Sequence, residues 1–171
     1  MFASLYKIAA VTVVTFVCCA AASGVAKRTA STDDILTILK TLRSSTNEIL
    51  PQISGMVANG TATDDTVTPL TSSLISAMNN ATSSIEGIAS VESVTEDGKH
   101  QVADLLASII TDVWTTIDSL NTTESVTTFA TIKADVNSSM GPIGSLLGDL
   151  LSGLIGIVVE LLIKILCWLF D

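Results

Sequence analysis

A chain of 171 residues, 48% apolar and 4% aromatic, has the size of one small domain built on a single core. Seventeen acidic residues against eight basic ones give a net charge of −9, the wrong sign for nucleic acid, which is set aside as a partner. Abundant Ser and Thr make a surface that is polar without being strongly charged.

The first 28 residues, MFASLYKIAAVTVVTFVCCAAASGVAKR, carry Lys7 as the only charge before an apolar run from Ile8 to Ala22 that gives way to small residues. This is the layout of a secretory signal peptide, and a run of fifteen residues is short for a transmembrane anchor. Lys27-Arg28 then looks like the dibasic processing site of a secreted precursor, so the mature chain is expected to begin at Thr29. Losing Lys7, Lys27 and Arg28 leaves 5 basic residues against 17 acidic ones, a net charge of −12. Cys18 and Cys19 are lost as well, and with Cys167 alone no intramolecular disulfide can form. Four sequons remain, at Asn59, Asn80, Asn121 and Asn137, and together with the leader they point to a glycosylated extracellular protein.

Ser31-Thr32-Asp33 opens the first helix, whose apolar stripe runs Ile35, Leu39, Leu42, Ile49, Ile53 and Met56; Pro51 is expected to kink or split it near Leu50. A loop over residues 56–65 follows, with Asn59-Gly60 as turn chemistry. The second helix, capped by Asp64, Asp65 or Thr66 and with Pro69 in its first turn, carries Val67, Leu70, Leu74, Met78, Ala81, Ile85 and Ile88. A third begins near Thr95-Glu96-Asp97, whose acids suit a helix N-terminus, and runs through Val102, Leu105, Leu106, Ile109, Val113, Ile117 and Leu120 to Asn121. A weaker fourth carries Val126, Phe129, Ile132 and Val136, and Gly141-Pro142 is expected to break the chain after it. No window alternates as a strand does, so the fold is read as all-α, an antiparallel bundle of four to five helices.

The tail from Ile143 to Phe170 reads IGSLLGDLLSGLIGIVVELLIKILCWLF, with Asp149, Glu160 and Lys164 its only charges. Burying one Leu, Ile or Val is worth roughly 1.5–3 kcal/mol, so about ten of them left wet would cost on the order of a domain's net stability. Residues 141–171 are therefore expected as a strongly apolar C-terminal helix, central in an amphipathic bundle formed by residues 29–140. In that arrangement Leu147, Leu151, Leu154, Val158 and Leu162 face the other helices and supply apolar ligand contacts. Gly144, Gly148, Ser152 and Gly156 fall four apart, a small-residue ridge suited to close packing in one bundle or to a seam between chains or in a membrane. Glu160 and Lys164 continue that row and can pair at i,i+4. Membrane insertion is finely balanced: twelve Leu, Ile or Val residues between Leu150 and Trp168 favour it by ~5 kcal/mol, while a central Glu160 costs about 3.

No catalytic constellation stands out. His100, the single histidine, lies beside Lys99 and Gln101 in a first helical turn and reads as solvent-exposed; no Gly-x-Ser-x-Gly elbow is present. Asp64-Asp65 and Glu96-Asp97 lack the spacing of a calcium loop and read as helix-start acids, and no His/Cys cluster suggests a metal. Cys167 is followed by four residues, one too many for prenylation, and reads as a buried thiol or an intermolecular disulfide. Neither an enzyme nor a cofactor is expected.

The leader, Lys27-Arg28, the disulfide-free Ser/Thr/Ala-rich helices from Asp33 to Met140, and the stretches Val102-Ala103-Asp104-Leu105-Leu106 and Phe129-Ala130-Thr131-Ile132-Lys133-Ala134-Asp135 together resemble the fungal hydrophobic-surface-binding protein A family, which includes cell-wall galactomannoproteins. The resemblance implies a secreted helical bundle that adsorbs to hydrophobic surfaces or holds a lipid, without catalysis, at the cell wall or outside the cell. The apolar tail departs from that family's polar-faced last helix. Self-association, or membrane association through the C-terminal helix, is the alternative.

Overall fold

Two serine/threonine caps and one threonine pair decide where the chain turns helical. The computed structural model describes the backbone of residues 27–170 and the side chains of residues 27–163. The signal-peptide reading and the Cys167 thiol fall outside the described residues. Ser31 accepts from the amide of Asp34 while Asp34 accepts in return from the Ser31 amide at 2.8 Å, a reciprocal cap that starts α1, Thr32–Ala58. Thr63, one residue before the expected caps, starts α2, Asp64–Glu86, by the same exchange with the Thr66 hydroxyl. Thr95 accepts from Gly98 N–H and starts α3, Glu96–Ser119, followed by a short 3-10 turn, Leu120–Thr122. The last two helices are α4, Phe129–Leu150, and α5, Leu154–Phe170.

The short connections reverse the chain between consecutive helices. The molecule is thus a mostly helical bundle, with a small sheet at one end that corrects the all-α reading. Strand β1, Arg28–Ser31, runs parallel to β2, Ile88–Glu92, each leading into a helix start. Strands of four and five residues are too short to show a period, and their pairing satisfies main-chain groups where Ala30 and Ile88 enter the core. The parallel strands bring the starts of α1 and α3 together, so these two helices pack side by side in the same direction. In space α1 lies between α2 and α3, α4 packs on α2, and α5 closes the circuit between α3 and α4.

The apolar stripes read from the sequence meet in one continuous core that includes Ile35, Leu39, Leu74, Met78, Ile109, Ile117, Ile143 and Leu147. Polar ties fix the register around it: Arg43 of α1 pairs with Asp112 of α3, and Lys133 of α4 pairs with Asp118 of α3 at 2.7 Å. At the far end from the sheet, Asp64 accepts from the hydroxyls of Thr127 and Thr128, both at 2.6 Å, and from their amides at 3.3 and 3.0 Å. These hydrogen bonds, those from the Thr127 hydroxyl foremost, hold the Asp64 carboxyl down to about 2. The clamp joins the start of α2 to the start of α4, which fixes those two helices as parallel neighbours.

At Pro51 the helix is not split, and at Gly141-Pro142 the expected break is corrected. α1 continues through Pro51, whose missing N–H would have bonded to Asn47; both residues are exposed, so that carbonyl is left to water while Leu50 and Ile53 hold the core side. The break placed at Gly141-Pro142 is absent as well. Ile132, Val136, Met140, Ile143 and Leu147 form one buried stripe across it, and Pro142 sits on the exposed side. The boundary between residues 140 and 141 therefore lies inside α4, and the chain turns instead at residues 151–153, where Gly153 adopts φ +86°.

Candidate functional site

With the tail divided in this way, α5 over residues 154–163 lies at the perimeter and not at the centre. One face of α5 is packed: Leu154 is 1% exposed, Val158 is buried, and Ile157, Leu161 and Leu162 lie partly buried against the core. The opposite face carries Ile155, Val159 and Ile163, which are 55%, 49% and 55% exposed. They follow one another at i, i+4 and i+8, so they form one stripe along the helix. Among the described residues these are the large apolar side chains that stand exposed.

The residues expected to face the other helices and to supply ligand contacts do lie on the packed side. Leu147, Leu151 and Leu154 are almost wholly buried and Val158 nearly so; they join the core, and Leu162 is half-buried at its margin. Neighbouring positions, one residue further round the helix, offer apolar surface to the outside. The small-residue ridge is also corrected, because the turn at 151–153 divides it. Gly144 and Gly148 stand on α4, Ser152 lies exposed in the turn, and Gly156 is on α5. Nothing lies within 4 Å of where a Cβ would stand on Gly144 or Gly156, so neither marks a close helix contact. At Gly148 a Cβ would collide with Cδ1 of Ile155, so this glycine makes room for the first residue of the exposed stripe to lean back over α4.

The sequon asparagines Asn59, Asn80, Asn121 and Asn137 are all exposed, on the α1–α2 connection, α2, the 3-10 turn and α4. None lies on α5, so glycans at these positions would be rooted away from the apolar stripe.

A second feature competes for attention, a hollow of about 320 Å³ between the starts of α1 and α3, lined by Asp33, Glu92, Ser93, Asp97, Gly98 and Gln101 among others. Its carboxylates oppose an anion, and the capping hydroxyls of Ser31 and Thr95 are already engaged with their own helices. No group of three or more His, Cys, Asp or Glu side chains that could hold a metal ion occurs among the described residues. Where carboxyls shift, they shift downward: Asp34 through hydrogen bonds from Ser31, Glu96 through its bond with Lys99 at 2.8 Å, and Asp64 through the threonine clamp. These are acids held ionised by local donors, the reverse of what a general acid requires. His100 stands exposed on α3.

No protein-family model and no curated protein matches the chain. No helix among the described residues is long and apolar enough to cross a membrane.

Proposed function

We propose that this is a secreted, glycosylated, non-enzymatic helical protein that binds apolar surfaces or lipids through the outer face of its strongly apolar C-terminal helix. The observation that carries the reading is the stripe of Ile155, Val159 and Ile163, half-exposed on a helix whose other face is packed. Covering what remains exposed of these three is worth roughly 2–5 kcal/mol at 1.5–3 kcal/mol per fully buried side chain. That is enough for reversible adsorption. Three side chains make a small patch beside the ~800 Å² per partner of a stable protein interface, whereas a fluid apolar surface demands neither a minimum area nor a complementary shape. The net charge of −12 left after loss of the leader favours uncharged surfaces over anionic ones. The leader, the sequons and the resemblance to hydrophobic-surface-binding proteins support the extracellular and cell-wall setting.

Self-association is the second reading, favoured by the stripe's symmetry about Val159: an antiparallel copy would set Ile155 against Ile163 twice over. Co-flotation with zwitterionic phospholipid vesicles, together with native mass spectrometry, separates the two. Binding that is lost in the triple variant Ile155→Ser, Val159→Ser, Ile163→Ser, with a monomer in solution, supports the first. A dimer that the same variant dissociates, without vesicle binding, transfers the assignment to the second.

A further inference from the structure

We propose that α5 is hinged: on meeting an apolar surface it swings away from α3 and α4 about Ser152-Gly153, and its inner face enters the surface along with the outer stripe. The inference rests on the apolar-surface reading above and says how the helix binds. Residues 154–163 read LIGIVVELLI, with Glu160 the one charge among them. Ile155, Val159 and Ile163 stand outward; Leu154 and Val158 are buried inward, with Leu161 and Leu162 partly buried beside them. In water the bundle covers only one face of such a helix, whereas a lipid surface accepts both.

The turn between α4 and α5 can act as the pivot. Leu151 is buried and donates its amide to the Leu147 carbonyl at 2.8 Å, which anchors the end of α4. Ser152 and Gly153 are exposed, and Gly153 holds φ +86° with nothing within 4 Å of where a Cβ would stand. Glycine passes readily between this region and negative φ, so these two residues can absorb a new angle between the helices once the turn-closing bond from Leu154 N–H to the Leu151 carbonyl gives way. The other four helices are tied to one another: Arg43–Asp112 joins α1 to α3, Lys133–Asp118 joins α4 to α3, and the Asp64 clamp joins the starts of α2 and α4. α5 packs on α3 and α4 and can leave without breaking those ties.

A surface shifts this equilibrium by as much as it prefers one state to the other. In water the closed state is favoured, because opening wets Leu154, Val158 and the sides of α3 and α4 that α5 covers. Closed, the protein offers a surface the three side chains of the stripe. Open, it offers the whole circumference of α5, and the uncovered sides of α3 and α4 face the same surface. The surface therefore selects the open state.

The test uses the 171-residue chain with its three cysteines replaced by serine. Spin labels on Ser76→Cys of α2 and Val159→Cys of α5, both exposed positions, report the distance between the two helices by double electron resonance. Zwitterionic phospholipid vesicles should lengthen that distance by about 10 Å or more, one helix-to-helix spacing. An unchanged distance in a chain that floats with the vesicles would overturn the proposal and leave the surface reading in place; a parent chain that does not float removes that reading and this inference together. A second variant, Gly148→Cys with Ile155→Cys, staples the hinge shut. Cγ1 of Ile155 lies 2.7 Å from the place of a Gly148 Cβ and is bonded to its own Cβ, so the two cysteine Cβ atoms would stand about 4 Å apart, a disulfide separation. The oxidised chain should bind vesicles at least tenfold more weakly than the same chain reduced. Equal binding by the two forms would overturn the proposal.

Discussion

The two faces of α5 should answer very differently to truncation, although they differ by a single step along the helix. Leu154 is 1% exposed and joins the continuous core, so Leu154→Ala removes buried methyl groups and leaves a cavity between α5 and its neighbours, costing about 2–5 kcal/mol. Ile155 is 55% exposed, so the same truncation there forgoes less than half of one side chain's burial, about 1 kcal/mol. For a chain of this size 1 kcal/mol moves the melting temperature by roughly 2–4 °C. Leu154→Ala should therefore lower it by roughly 5–15 °C and Ile155→Ala by only a few degrees. Urea denaturation followed by circular dichroism, with matched m-values for the two variants, gives the comparison directly. Equal losses, or a greater loss at Ile155, would refute the placement of α5 on the perimeter with Leu154 inward.

The Asp64 clamp predicts an acid-sensitive increment of stability. Its carboxyl is held at about 2 in the folded chain against an ordinary 3.8, so the contribution is fully present above about pH 4 and is lost as pH falls through about 2. A melting series from pH 5 to pH 2 should show a shallower acid loss in Asp64→Asn than in the parent chain; parallel curves would contradict the clamp. Gly144→Ala and Gly156→Ala fill open space inside helices and should each stabilise by about 0.5–1 kcal/mol, readable as a raised urea midpoint. A loss at either position would restore the small-residue ridge as a packing contact.

Much of the helical framework was legible because local chemistry and the apolar period agree. Ser31 and Thr95 are recognisable caps, and the stripes from Ile35 to Ile53 and from Val102 to Leu120 lie in the core as their spacing implies. The cap of α2 was displaced by one residue because a threonine hydroxyl at Thr66 does the work usually sought from Glu or Gln. Pro142 misled for a related reason: a proline on the wet side of a helix leaves its unpaired carbonyl to water, and the stripe from Ile132 to Leu147 carries the helix across it. The apolar stripe itself could not be read from its own segment. In a helix apolar nearly all round, periodicity does not say which face is covered; that depends on where α3 and α4 stand, and so on contacts far away in sequence.

The assignment of the contact surface to α5 is tested most directly by an environment-sensitive fluorophore placed on its outer face. With Cys18, Cys19 and Cys167 replaced by Ser, a probe on Val159→Cys is compared with one on Ser76→Cys, an exposed position on α2. Titration with zwitterionic vesicles should shift the emission of the Val159 probe to the blue and leave the Ser76 probe unchanged. Identical responses at the two positions, or none at Val159 while the protein still floats with the vesicles, would place the contact surface elsewhere and contradict the account.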